Sequence, residues 1–227
     1  MKNRRSKSHP PKPEGQRAHR SARRPAGTPT SSLRIIGGQY RGRRINFPDW
    51  DGLRPTPDRI RETLFNWLSF DIEGSTCMDL CAGTGILAFE ALSRRAQYAK
   101  AIDQSRDSIL SIQKNSELLS IKNLDCANNA IESYLSTHPD RRYNVVFMDP
   151  PFRKGMVIPA INLLEEKGWL AADAWVYIET EAELNALCTP DTWTLHREKT
   201  AGQVRYRLYR RQAPDLEASV SSETASE

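Results

Sequence analysis

Ser75-Thr76-Cys77-Met78-Asp79-Leu80 followed by Cys81-Ala82-Gly83-Thr84-Gly85 decides the fold. The first six residues read as a short buried strand, and the next five as a tight small-residue loop. From Ile86 to Arg95 the spacing is helical, with Ile86, Leu87, Phe89, Ala91 and Leu92 available for a core. Strand, glycine loop and helix open a nucleotide-binding βαβ unit, in which the glycines let the backbone approach a ligand closely. A full dinucleotide fingerprint needs Gly or Ala at position 88, which Ala88 meets only loosely, and no Gly-Lys-Ser/Thr follows to make a P-loop. Asp79, ahead of the glycines, suits a cationic or hydroxyl-rich ligand better than a pyrophosphate. That favours the sulfonium nucleoside S-adenosylmethionine over NAD.

Outward from this unit the next strands end in the same style. Ala99-Lys100-Ala101-Ile102-Asp103 puts a carboxylate about 20 residues after the loop, the spacing of a ribose-binding acid. The competing reading is a cap on the helix Ser105–Leu118. Asn128-Asn129-Ala130, after the strand Leu124–Ala127, offers an amide to an adenine edge, or is simply an Asn-rich turn. The apolar run Tyr143–Met148 is stopped by Asp149-Pro150-Pro151-Phe152. Two prolines end the strand and stiffen the backbone beyond it. A carboxylate, two carbonyls without competing N–H groups and an aromatic ring are then held at a strand's carboxyl end, where open α/β sheets bind ligands. A flat ring bearing an amine would stack on Phe152 and donate to Asp149 and the Pro150 carbonyl. Alone, the tetrapeptide is equally a strand-ending turn.

Before the glycine loop, Thr56 reads as an N-cap and Pro57 as the first turn of a helix whose Ile60, Leu64, Phe65 and Leu68 share a face. Arg34 to Ile45 reads as a basic β-hairpin bent at Gly37-Gly38 and Gly42. After the Pro-Pro loop come a helix over Val157–Lys167, a strand near 174–179, and strands Trp193–Glu198 and Val204–Tyr209 joined by Thr200-Ala201-Gly202. The expected fold is α/β: five parallel strands in a Rossmann-like sheet, a terminal antiparallel hairpin at its edge, and a small N-terminal β-hairpin.

Leu53–Leu68, Asp79–Gly85, Glu90–Ala96 and Asp149–Phe152 together resemble the bacterial enzymes that methylate the N2 amine of guanine 966 in 16S ribosomal RNA. Arg34-Ile35-Ile36-Gly37-Gly38-Gln39-Tyr40-Arg41-Gly42-Arg43 and Leu195–Val204 fit the same family, so the likeness spans Leu33 to Arg211. The Arg-Pro-Thr helix and the Gly-Gly-x-x-x-Gly segment are the more specific motifs, since Asp-Pro-Pro-Phe is shared with other amine methylases. Cys81 stands where the family often has an aromatic residue and Thr84 where it often has Ser; neither removes a needed group. The resemblance implies a class I methyltransferase using S-adenosylmethionine. Asp79, Ala82, Gly83, Gly85, Asp103, Asn129 and Ala130 would hold the donor. Asp149, Pro150 and Phe152 would hold the amine and its base, with the proton going to Asp149 or later to water. Arg34, Arg41, Arg43, Arg44 and Arg54 would grip phosphates of 16S rRNA, met as naked RNA or within a small-subunit particle.

Charge is segregated along the chain. Residues 1–44 carry 13 Lys/Arg and only Glu14, whereas the remainder carries 20 Lys/Arg against 27 Asp/Glu. One end is therefore suited to a polyanion. Residues 1–32 are expected to be a disordered basic tail, 33–52 the hairpin, 53–211 the methyltransferase domain and 212–227 a disordered acidic tail. No apolar run follows Met1-Lys2-Asn3-Arg4-Arg5, and none is long enough for a membrane span. Cys77, Cys81, Cys126 and Cys188 form no Cys-x-x-Cys pair. These features lead to the expectation of a cytoplasmic, metal-free monomer. The rival readings are a DNA, protein or other RNA amine methyltransferase, a non-catalytic RNA-binding assembly factor and an NAD oxidoreductase. A DNA-specific enzyme should carry an added target-recognition domain for which this chain has little room, the assembly factor leaves both motifs unexplained, and the oxidoreductase is disfavoured by the incomplete fingerprint.

Overall fold

The computed structural model describes residues 30–48 and 55–213. Fourteen elements follow in the order β1 (Thr30–Arg34), β2 (Arg44–Pro48), α1 (Asp58–Trp67), β3 (Thr76–Leu80), α2 (Ile86–Ser93), β4 (Tyr98–Asp103), α3 (Arg106–Leu118), β5 (Leu124–Asn128), α4 (Ile131–Leu135), β6 (Tyr143–Met148), α5 (Val157–Glu166), β7 (Leu170–Glu181), β8 (Trp193–Ala201) and β9 (Val204–Gln212).

Seven strands form one sheet in the order β5-β4-β3-β6-β7-β9-β8. The first five are parallel and β9 and β8 antiparallel, as the alternation of apolar runs and helices implies. Parallel strands need crossovers and are covered on both faces, so β3 and β6 are buried at all but one position each, and β7 from Ala174 to Thr180. One core contains Cys77, Val145, Phe147, Tyr177 and the inner faces of α1 and α2; the other contains Met78, Val146, Ile178 and the inner faces of α4 and α5. Strand order reverses between β3 and β6, and the carboxyl ends of those two strands flank the resulting crevice.

The hairpin β1–β2 is not a free arm. Ile35 and Ile45 are fully buried in the same core as α1 and α2. The Gln39 N–H donates to the Ser93 carbonyl at 2.7 Å and the Tyr40 N–H to Ser93 Oγ at 2.9 Å. Asn115 on α3 bonds both backbone groups of Asn46, accepting from its N–H at 2.9 Å and donating to its carbonyl at 2.7 Å. Gly38 has φ 74°, and a Cβ there would stand 1.9 Å from the Ser93 carbonyl oxygen, so only glycine permits this approach.

Three boundaries differ from expectation. β1 starts at Thr30, inside the stretch expected to be the tail, because Ser31 and Ser32 pair with Phe47 and Asn46. Pro57, not Thr56, is the N-cap of α1, and no side chain caps that end. A short helix, α4, follows Asn129-Ala130; its five residues are too few to show a period. Residues 1–29 and the acidic stretch 214–227 lie outside the described residues.

Candidate functional site

A cleft of about 620 Å³ opens at the carboxyl ends of β3, β4, β6 and β7. Its lining includes Asp79, Ala82 and Gly83 from the first motif, Asp103 from β4, Asn129 and Ala130 after β5, and Asp149, Pro150, Pro151 and Phe152 after β6. Segments far apart in sequence thus share one wall.

The glycine loop is braced by carboxylates. Asp103 Oδ2 accepts from the Gly83 N–H at 2.8 Å, and its Oδ1 from the Ser105 N–H at 2.8 Å. The helix cap proper is Ser105, whose Oγ accepts from the Ser108 N–H at 3.3 Å. Asp79 is buried, with Oδ2 accepting from the Ala88 N–H in the first turn of α2 at 3.2 Å. Burial pushes its carboxyl up to about 8, and the nearby Asp149 and Asp103 charges add to the rise. The Asn129 N–H donates to the Asp103 carbonyl at 3.0 Å, and the Asn128 side chain to the same carbonyl at 3.0 Å, fixing that turn.

Gly85 is placed otherwise than expected. It does not line the cleft; it is the N-cap of α2 at φ 75°, where a Cβ would meet Ile112 Cγ1 at 2.8 Å. Its role is to let the loop pack on α3. Cys81 has φ 60°, and burial, then the Asp103 and Asp149 charges, push its thiol up to about 12. It stays a neutral thiol, so covalent attack by a thiolate has no source here.

At Asp149 burial raises the carboxyl to about 7, while a hydrogen bond from the Thr56 side chain pulls it back down. Thr56 is itself buried, and its carbonyl accepts from Arg61 Nε at 3.2 Å. Arg61, completely buried, also bonds Glu90, Asp58 and the Arg34 carbonyl. Glu90 in turn accepts from the Ile36 N–H at 2.8 Å and pairs with Arg94. A chain of polar contacts therefore runs from the hairpin through α1 to Asp149.

The family model described as "Conserved hypothetical protein 95" matches residues 33–210. The chain belongs to this family. It is 47% identical over 191 residues to "Ribosomal RNA small subunit methyltransferase D" of Escherichia coli K12, covering 84% of this chain and 96% of that protein. The protein of the same name from Haemophilus influenzae is 42% identical over 180 residues, covering 78% and 93%. Among solved structures, the "Putative methyltransferase yhhF" from Escherichia coli superposes with a TM-score of 0.76 at 46% identity, over 81% of this chain and 99% of that one. The sheet is thus the methyltransferase sheet expected from the motifs.

Within this family fold the expected phosphate-gripping arginines stand apart from the cleft. Arg41 and Arg43 are exposed on the hairpin turn. Arg44 donates to Ser32 Oγ at 2.7 Å, and Arg34 reaches Asp58 at 3.7 Å. Arg54 lies outside the described residues. Among the described residues, Arg59 is the sole cationic side chain lining the cleft. Sequence reading misses Thr56 as a site residue because its capping role explains it, and misses Glu179 and Gln203 because nothing local marks them. Their signal is register: Glu179 stands beside Asp149 on the neighbouring strand, and Gln203 lies in the β8–β9 turn. Among the described residues, no helix is long and apolar enough to cross a membrane, and no three His, Cys, Asp or Glu side chains cluster as metal ligands.

Proposed function

We propose that this protein transfers a methyl group from S-adenosylmethionine to the exocyclic N2 amine of a guanine in 16S ribosomal RNA. The observation that carries the reading is the meeting of Asp149-Pro150-Pro151-Phe152 with the Asp103-braced glycine loop in one cleft, in a chain 47% identical to a small-subunit ribosomal RNA methyltransferase.

The donor set fits a cationic nucleoside. Four carboxylates, Asp79, Asp103, Asp149 and Glu179, line the cleft against one arginine, Arg59. Burial leaves Asp79 and Asp149 only partly ionised near neutral pH, and a bound sulfonium would favour their charged forms, whereas a pyrophosphate would be disfavoured beside them. The donor, when bound, supplies a methyl group already activated by positive sulfur. Asp103 would hold ribose hydroxyls, Asn129 and Ala130 the adenine edge, and Ala82 and Gly83 would present backbone to the donor's sides.

With the methyl already activated, the chain's work is position and electrostatics. A guanine amine is a poor nucleophile because its lone pair is delocalised into the ring. Asp149 and the Pro150 carbonyl would accept both amine hydrogens and turn the lone pair out of conjugation. The ionised Asp149 would offset the positive charge that develops on nitrogen. Phe152 would stack on a base drawn out of its own stack. Arg34, Arg41, Arg43 and Arg44, outside the cleft, would hold phosphates away from the target base, as would Arg54, which positions the RNA without selecting sequence.

The test is transfer of labelled methyl from S-adenosylmethionine to 16S rRNA, free and assembled with small-subunit proteins, followed by nucleoside analysis. N2-methylguanosine is expected. Label in N6-methyladenosine, or none in either substrate, would overturn the reading.

A further inference from the structure

Asp149 and the Pro150 carbonyl accept the two hydrogens of an amine, and every exocyclic base amine has two. They cannot by themselves tell guanine from adenine or cytosine. The discriminating atom is the ring nitrogen beside the amine. Guanine's amine has N1–H, a donor, on one side and bare N3 on the other; the amines of adenine and cytosine have a bare ring nitrogen on one side and a carbon on the other. A site that selects guanine therefore needs a second acceptor next to Asp149.

Glu179 stands in that place. Met148, the last residue of β6, is paired with Ile178 on β7, so Asp149, the first residue past β6, and Glu179, within β7, each directly follow that pair. Phe147 and Tyr177 are likewise paired and lie in the same core, and Glu179, two residues on within β7, leaves the sheet on that face. Both carboxylates line the cleft, and Glu179 is only 3% exposed. The Tyr177 hydroxyl donates to Glu179 Oε1 at 2.8 Å, which fixes the carboxylate's orientation.

We infer that Glu179 is the residue that selects guanine, by accepting the N1–H beside the amine that Asp149 holds. The inference rests on the methyl-transfer reading of the cleft and adds the choice of base to it. An adenine or cytosine would set its ring lone pair against a buried carboxylate, leaving two acceptors facing each other. Two lone pairs forced against each other in a buried site reject a ligand far more strongly than a missing apolar contact does. Tyr177 acts through Glu179 and is a positioning residue.

The experiment compares 16S rRNA carrying guanine at the target with the same RNA carrying 2-aminopurine there. The analogue keeps the amine, replaces N1–H by a lone pair and lacks the C6 oxygen, so the change of preference on Glu179→Gln, not the wild-type preference alone, reads the N1 contact. The wild type should prefer guanine by at least about a hundredfold in kcat/KM. Glu179→Gln keeps an oxygen for the Tyr177 hydroxyl and offers an amide donor to a bare ring nitrogen. It should lose about tenfold or more on guanine and gain on 2-aminopurine, so the preference collapses. A purely structural role would lower both rates together and leave their ratio unchanged, which would overturn the inference. Equal transfer to the two RNAs by the wild type would overturn it with no variant needed. No transfer by the wild type to either RNA would remove the methyl-transfer reading, and this inference with it.

Discussion

Asp149 is legible as a functional acid because two prolines mark it; its partner Thr56, 93 residues earlier, is not. Thr56 looks like a helix cap until the chain folds, when Pro57 takes that place and the hydroxyl turns to Asp149. The pair makes a pH prediction. The Asp149 carboxyl is raised to about 7, so the ionised form, proposed to hold the amine, grows as pH rises through 7. Single-turnover methylation should therefore rise with pH and level off above it. Thr56→Val removes the one bond that lowers this carboxyl, so the acid limb should move to higher pH. A limb that stays in place would mean that another group titrates. Asp149→Ala should lower turnover roughly a hundredfold with donor affinity kept, as expected for loss of one preorganised acceptor. Asp103→Ala should do the reverse: calorimetry should show donor binding weakened about tenfold or more, since one carboxylate both faces the cleft and ties down the Gly83 N–H.

At the scale of elements, strands and helices are readable because their periods and their proline and glycine stops are local. The bonds that hold them to one another are not. Arg61 and Glu90 look like solvated helix residues, yet both are fully buried and paired. Nothing in a helical period announces an ion pair between residues 61 and 90. Likewise Gly37-Gly38 reads as a bend, and its second duty, close approach to Ser93, emerges only in the packed structure. Two substitutions separate these duties. Gly42 has φ 83° with nothing within 4 Å of an added Cβ, so Gly42→Ala should cost only the backbone strain, about 1–2 kcal/mol. Gly38→Ala carries the same strain plus a collision with backbone, and should cost at least about 1 kcal/mol more. Denaturant unfolding of both variants checks the order; equal costs would mean that the hairpin shifts freely on α2.

For the whole molecule the question is how a net-negative catalytic body recruits a polyanion. The basic excess is confined to residues 1–44, and the structure divides it in two. Residues 1–29 hold nine Lys/Arg outside the described region, whereas Arg41 and Arg43 sit on a hairpin bonded to Ser93 and Asn115. The hairpin also reaches Asp149 through Arg61 and Thr56, so its charges stand in a fixed relation to the cleft. Deleting residues 1–29 should weaken RNA binding in a salt-dependent way and leave the methylated base unchanged, because phosphate contacts position and do not specify. The slope of log affinity against log salt should flatten by about 0.7–0.9 for each phosphate that the deleted residues neutralise. If Arg41 and Arg43 orient the RNA as proposed, charge reversal at both should be worse per charge, lowering kcat as well as affinity. Both variants are to be titrated against salt, with the modified nucleoside mapped for each. Methylation redirected to another base by the deletion, with normal transfer by the hairpin variant, would reverse the two roles.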